Sequence, residues 1–453
     1  MPLNTHQEGI VRRASAARVA QEFTRLTQNW VGGRWLGVGN RYATNCIKKI
    51  KRDAGHGGHL RHGQLASYIA ASSVIHCMDG WSYAARAIDA DLSGDVAAAR
   101  HLAYYAELRA AMALLASVGL GVFDEKHFAL KADRKCERIV NAGRTHVFVW
   151  DALEYWAQQP AATDLILSVI QPGGKTLSEW LEHFPPTAGG GFRAILARQW
   201  LREWGLDLQR FALDRDARNE SSYRPTNIAV HNRPTLDQSL NFIEHLWDAN
   251  KPSNSNPFKV IDRFLLRRSL ASAFKVTHAQ HLNPQRAPVQ FARLIEPVLH
   301  ALLPTGGDFS DLEWREFLNF KTPLIESQVI TQAGMANPAS SPLHHIQVIA
   351  RATILLRVAT GSARAIVKGL GAHEVAHLSF WWRPIGEARG LWEVGTPPPP
   401  FLDLWQDIEL SLGRLGDWRR AGGNSKKRLF SGAAEVARLL GSFERVALWG
   451  LGI

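Results

Sequence analysis

The string "GLGAHEVAHLSFWW", from Gly369 to Trp382, holds His373, Glu374 and His377 in H-E-x-x-H spacing. On a helix that spacing puts two imidazoles on one face with a carboxylate beside them. These are the zinc ligands and general base of a metallopeptidase. Such a site needs a third ligand. The metzincin continuation would put a histidine six residues after His377, where the chain has Arg383. Glu387 and Glu393 are the nearest carboxylates, and Pro384 breaks the helix before them. The chain has 18 histidines, enough for the string to arise by chance, and the adjoining Leu378–Trp382 run has the composition of core packing. The favoured reading is an aromatic-rich helix with no metal and no cofactor; zinc on His373 and His377 with Glu374 as base is the alternative.

The second candidate is "DRDARNESSYRP", Asp214 to Pro225, where Arg218 and Asn219 precede Tyr223 at the end of a helical stretch. Together with a long helical hairpin earlier in the chain, this cluster resembles the HEPN superfamily of helical nucleotide-binding and RNase domains. The resemblance covers residues 64–250 at most. It implies an R-N-x-x-x-H-like motif facing the groove of a helical bundle. There the arginine stabilises charge on a phosphate, a histidine moves a proton, and the RNA 2′-OH attacks without a metal. It also implies a place in a prokaryotic defence or toxin system. This chain has Tyr223 where the family has histidine, and a phenol with a pKa of about 10 is a poor base at neutral pH. His231 follows beyond Pro225, within reach only of a folded loop. Arg218, Asn219 and Tyr223 are therefore expected to bind a phosphate, with cleavage left open and capping of the helix end as the structural alternative.

Charge agrees with a polyanionic partner. The net charge is +12, and residues 1–62 carry eleven Lys/Arg against three Asp/Glu, most of that excess. Lys48, Lys49, Lys51, Arg52 and Arg61 cluster in "NCIKKIKRDAGHGGHLRHGQ", and Lys426, Lys427 and Arg428 form a second patch. Both are candidate contacts to RNA or DNA phosphates. His56, His59 and His62 lie between glycines with no acidic or thiolate ligand nearby, which reads as a loop. Three scattered cysteines without a C-x-x-C pair fit a reducing compartment. The first residues show no signal-peptide core, and stretches such as "AAMALLASVGLGVF" fall short of a bilayer span, so a cytoplasmic protein without membrane insertion is expected. The excess of arginine over lysine fits a GC-rich bacterial genome.

Long proline-free runs with apolar residues three and four apart predict mostly α structure, with helical bundle domains and a small β-hairpin insertion. Two helices, Gln64–Ala90 and Asp95–Gly119, should form an antiparallel hairpin broken at "DLSGD". Leu102, Tyr105, Leu108, Met112 and Leu115 are expected on one buried face. Phe128 and Leu130 alternate, and Val147, Phe148, Val149 and Trp150 form a β-rich run, placing the hairpin near residues 127–150. Asp124-Glu125-Lys126 has the residue types of a metal-dependent nuclease centre but no predicted α/β sheet around it. "NKPSNSNPF" marks a boundary, so the organisation reads as a basic arm (1–62), a HEPN-like helical domain (63–250) and a second helical domain (251–453). The open functional readings are a nucleic-acid-engaging protein, a zinc peptidase, and a non-catalytic scaffold that binds protein partners in a larger complex.

Overall fold

The computed structural model describes residues 2–183, 191–208, 211–223, 234–253, 256–278, 287–302, 309–320, 326–335, 341, 343–396 and 401–452. Helices account for 72% of it, with one three-stranded antiparallel sheet in the order β1-β2-β3. His231, the glycines of "TAGGG" before Gly191, and the four prolines 397–400 lie outside the described residues.

Three helices, α1 (Thr5–Arg12), α2 (Ala16–Trp30) and α3 (Cys46–Asp53), precede the expected hairpin of α4 (His62–Ser93) and α5 (Val96–Ser117). The break is local chemistry. Gly94 takes the left-handed φ of 84° that ends α4, and the Asp95 carboxylate accepts the Ala98 N–H at 2.9 Å to start α5. Both helices are rich in buried alanine, which lets backbones approach closely. Gly80 shows the limit, because a Cβ there would lie 2.6 Å from Leu356 of a helix packed across the hairpin.

That helix, His344–Lys368, packs on both α5 and α4 through the centre of the molecule. It is apolar all round, as a helix wrapped by others must be. It is the one described helix long and apolar enough to cross a membrane, and its apolar window is 100% buried inside the protein. Yet it also buries His344, His345, Arg351 and Arg357. Each must find a partner, because an unpaired buried charge is costly.

The β insertion is β1 (Leu120–Phe123), β2 (Lys126–Leu130) and β3 (Cys136–Ile139), with Asp124 at φ 54° in the β1–β2 turn. One expectation is corrected. Val147, Phe148, Val149 and Trp150 are not a strand; they lie in α6 (Thr145–Ala157), beside α5 and β1. Phe148, Val149 and Trp150 are buried, and a short buried helix shows the same unbroken apolar run as a buried strand.

Residues 1–62 carry α1–α3, and Phe23, Trp30, Tyr42 and Ile50 join the same apolar core as α4 and α5. Asp53, at the end of α3, accepts from Arg41 Nη2 at 2.8 Å and from the Tyr42 hydroxyl at 3.2 Å. In the "NKPSNSNPF" stretch the buried Asn256 amide donates to the Gln171 carbonyl at 2.6 Å, and Phe258 stacks near Trp81.

The Arg218 region is helical, but in two pieces, Gly191–Glu203 and Phe211–Tyr223. Gly205 separates them at φ 92°, where a Cβ would meet the Ala333 backbone at 2.5 Å. The second helix packs along α5.

Candidate functional site

The Phe211–Tyr223 helix and α5 lie side by side and match rung for rung. His101 Nδ1 meets the Ser222 hydroxyl at 2.5 Å. One turn on, Arg218 lies over the Tyr104 ring at 5.2 Å and the Tyr105 ring at 5.6 Å. One turn further, Glu107 and Asp214 are bridged by Arg351 of the central helix, at 3.0 Å from Nε and 2.7 Å from Nη2. The residues 214, 218 and 222 are spaced by four, and 101, 104 and 107 by three, so each set forms one stripe of its helix.

The two ends of this ladder differ electrostatically. At the inner end Asp214 takes both Arg351 and His344, the latter at 2.9 Å. Burial pushes the Asp214 carboxyl up, but Arg351 and His344 outweigh it and hold the group below the usual carboxylate range. Burial pushes Glu107 well above its ordinary value, against the pull of Arg351. A parallel pair, His345 with Asp91 at 2.9 Å, stands at the same end of the central helix. At the outer end Arg218 is 9% exposed and, among the described residues, has no carboxylate within ion-pairing distance. Its Nη2 faces His146 Nε2 at 3.4 Å, and its Nε has no partner.

His146, from the start of α6, also bonds the Tyr104 hydroxyl through Nδ1 at 3.0 Å. Burial, followed by the charges of Arg218 and Arg215, lowers its pKa to about 4. Burial and Arg218 also lower His101. Both imidazoles are thus biased to the neutral form. The hydrogen bonds assign their tautomers. The Ser222 hydroxyl donates to the Arg218 carbonyl at 2.8 Å, so His101 donates from Nδ1 and keeps its lone pair on Nε2. Arg218 can only donate, so His146 keeps its lone pair on Nε2 as well. The cluster therefore offers a guanidinium with donors to spare and two neutral bases, the composition of a phosphoryl-oxygen site with proton-transfer groups beside it.

Not every residue of the expected motif joins it. Tyr223 follows Arg218 by five positions, about 140° round an α-helix, and its side chain is 79% exposed. Asn219 is half-buried beside Arg218 on the helix. Ser222, at the i+4 position, faces the site in place of Tyr223.

The first basic patch lies along the same side. Lys51 pairs with Asp124 in the β1–β2 turn, the neighbouring Glu125 takes Arg144 at 3.0 Å, and Arg144 immediately precedes α6 and His146. Lys48, Arg52 and Arg61 are exposed and Lys49 is half-buried. Asp124 and Glu125 thus serve as partners for the basic residues of α3 and α6. In the second patch Lys426 reaches the Asp91 carbonyl and Arg428 the Gly422 carbonyl, while Lys427 is exposed.

His373 and Glu374 lie on a five-residue helix, Ala372–Ala376, and His377 is its C-cap. The two rings meet edge-on at 4.9 Å, His373 is 82% exposed, and Glu374 pairs with His373 itself at 3.6 Å. Glu387 accepts the Gly395 N–H at 3.2 Å. Among the described residues no three His, Cys, Asp or Glu side chains gather as a metal-holding group. The neighbouring Leu378 and Trp382 are buried, and Trp381 packs edge-on against Trp35 at 5.0 Å.

Sequence reasoning missed His101, Tyr104, Tyr105, Ser222 and His146. His101 and Tyr104 carried a usable signal, a polar-aromatic step on α5 three residues apart. His146 was hidden by reading its helix as a strand. No family model matches the chain, and no curated protein or solved structure matches it either.

Proposed function

We propose that this is a nucleic-acid-engaging protein, with RNA the preferred polymer, and that a phosphodiester sits against Arg218 between His101 and His146. The observation that carries this reading is the nine-tenths-buried Arg218, held by two tyrosine rings, lacking a carboxylate partner among the described residues and flanked by two neutral histidines, with the His101 Nε2 lone pair open and that of His146 turned to Arg218. An arginine paired with a carboxylate has its charge already met; this one keeps donors for a phosphate. The exposed Lys48, Arg52 and Arg61 supply sequence-independent attraction to the strand. A helix-borne arginine facing a helical groove is also what the HEPN resemblance implies, and a role in a prokaryotic defence or toxin system belongs to this proposal.

The chemistry open to the cluster is transesterification. One imidazole takes the proton of the RNA 2′-OH, the 2′-oxygen attacks phosphorus, and the 5′-oxygen leaves with a proton from the second imidazole. The bound phosphodiester's negative charge raises the imidazole pKa values, so the fraction of complexes with the acid ring protonated grows on binding and as pH falls. Arg218 stabilises the charge that builds on the non-bridging oxygens. The test is incubation of single-stranded RNA in excess EDTA. The expected products are a 2′,3′-cyclic phosphate and a 5′-hydroxyl, with formation lost in Arg218→Gln. RNA that neither binds nor is cut, or that is cut equally well by Arg218→Gln, refutes the assignment.

A further inference from the structure

A second set of cations lies at the far end of the central helix. Arg357, Arg364 and Lys368 follow one another on one face of His344–Lys368, at spacings of seven and four, and line a pocket of about 60 Å³ with Gln171, Asn256 and Phe258. That volume is room for a few atoms, at least one water and up to a small oxyanion. Arg357 is charge-paired. Its Nε and Nη2 grip both oxygens of the buried Asp262 at 2.7 and 2.8 Å, and Nη2 also reaches the Val169 carbonyl at 2.6 Å. Asp262 in turn accepts the Gln171 N–H at 2.8 Å and the Asn256 amide at 3.4 Å. The one carboxylate here is thereby saturated.

Arg364 and Lys368 are not compensated in this way. Arg364 Nη1 donates to the carbonyls of Trp449 and Gly450, at 3.0 and 3.3 Å, and to no carboxylate among the described residues. Lys368 is exposed and has no hydrogen-bond or ion-pair partner among them. Among the described residues two full positive charges remain against helix C-terminal ends worth about half a negative charge each, so the field they set up in the pocket is positive. Two titration shifts report the same field. Lys368 is lowered first by the charge of Arg364 and then by burial, and Arg364 is lowered by burial and by Arg357.

We infer that this pocket binds a small phosphate dianion, with the Arg364 guanidinium and the Lys368 ammonium as its charge partners and Arg357–Asp262 as its fixed wall. The ligand class is inorganic phosphate or the terminal phosphate of a nucleotide. The site is separate from the Arg218 cluster and does not depend on the function proposed for it.

The test is calorimetric titration of the full chain with inorganic phosphate and, in a second arm, with adenosine 5′-monophosphate. Saturable one-to-one binding is expected in at least one arm. Tighter binding of the nucleotide would identify a nucleotide's terminal phosphate as the ligand, and equal affinity would identify free phosphate. Lys368→Gln removes a charged contact without disturbing a hydrogen bond of the fold and should weaken binding by about tenfold or more. Arg364→Lys, which keeps charge but loses the fork, should weaken it less. Arg218→Gln should leave it unchanged. Absence of saturation in both arms overturns the inference. So does binding that Lys368→Gln leaves intact, or that Arg218→Gln abolishes. A lowered melting temperature in Lys368→Gln with no phosphate binding in the parent protein would reduce Lys368 to offsetting the helix dipole.

Discussion

Asp214 and Arg218 stand one turn apart on one helix, facing α5, and they do opposite things. Around Asp214 both carboxylate oxygens are met. Arg351 bridges it to Glu107, and His344 takes its second oxygen. Around Arg218 the neighbours are aromatic rings and neutral imidazoles, and no carboxylate among the described residues answers the charge. A buried carboxylate with both oxygens paired holds helices in place. A nine-tenths-buried guanidinium without such a partner is, in the function proposed above, held ready for a ligand of opposite sign. The contrast shows that burial of a charge does not reveal its purpose; the completeness of its partners does.

The largest effect should come from breaking the saturated end. Arg351→Met strands Asp214 and Glu107 without their cation, and the expected loss is about 3–5 kcal/mol of unfolding free energy, measured by urea denaturation. A loss below about 1 kcal/mol would show that the network relaxes and would erase the distinction between the two ends.

The unsaturated end should respond the other way. Arg218→Gln should cost RNA cleavage about 10²–10³-fold, the usual price of one oxyanion-stabilising donor, while stability changes by no more than about 1 kcal/mol for the lost cation–π contacts. Unfolding of this variant would assign Arg218 to the framework.

Acid should separate two histidines that share a pKa of about 4. His127 is buried, stacked on Phe148 at 3.9 Å and bonded to the Gly143 carbonyl, whereas His146 opens on the Arg218 cluster. The folded values lie below the unfolded value of about 6.5. Their stabilisation is therefore complete above that pH and is lost as pH falls from 6.5 toward 4, because the unfolded chain takes up the proton first. His127 should account for about 3 kcal/mol of that loss. Denaturation curves between pH 7.5 and 5 should be less steep in pH for His127→Leu. An unchanged pH slope would remove His127 as the cause.

Smaller effects belong to the surface. Replacing Lys48, Arg52 and Arg61 with glutamine should reduce the salt slope of single-stranded RNA binding by about two, read from affinities across a salt series. A slope that does not move would place the strand elsewhere. Tyr223→Phe, on an exposed side chain, should change cleavage by less than about twofold, and a larger loss would return Tyr223 to the site.

The fold was legible where periodicity was strong. The α4–α5 hairpin and its break at Gly94 follow from the alanine-rich runs and the "DLSGD" signal. The identity of α6 was not legible, because Val147–Trp150 is apolar on every side and burial erases the difference between a period of two and of 3.6. That error also concealed His146. Arg218 stood out by its neighbours in the chain, but its working partners come from α5 and α6, seventy or more residues away. The spacing of Tyr223 was a misleading cue, since five residues carry a side chain off the face that four residues keep. The H-E-x-x-H string gave the residues but not their setting; its helix is one turn long and its first histidine is exposed.

The central claim is that a phosphodiester takes the place left open beside Arg218. The direct measurement is NMR titration of the histidine rings, with and without a single-stranded RNA bearing a 2′-deoxy substitution that blocks cleavage. His146 should titrate near pH 4 in the free protein. With RNA it should rise by about one unit or more, as a neighbouring anion requires, and it should stay put in Arg218→Gln. RNA that binds while His146 and His101 keep their free-protein values would contradict it.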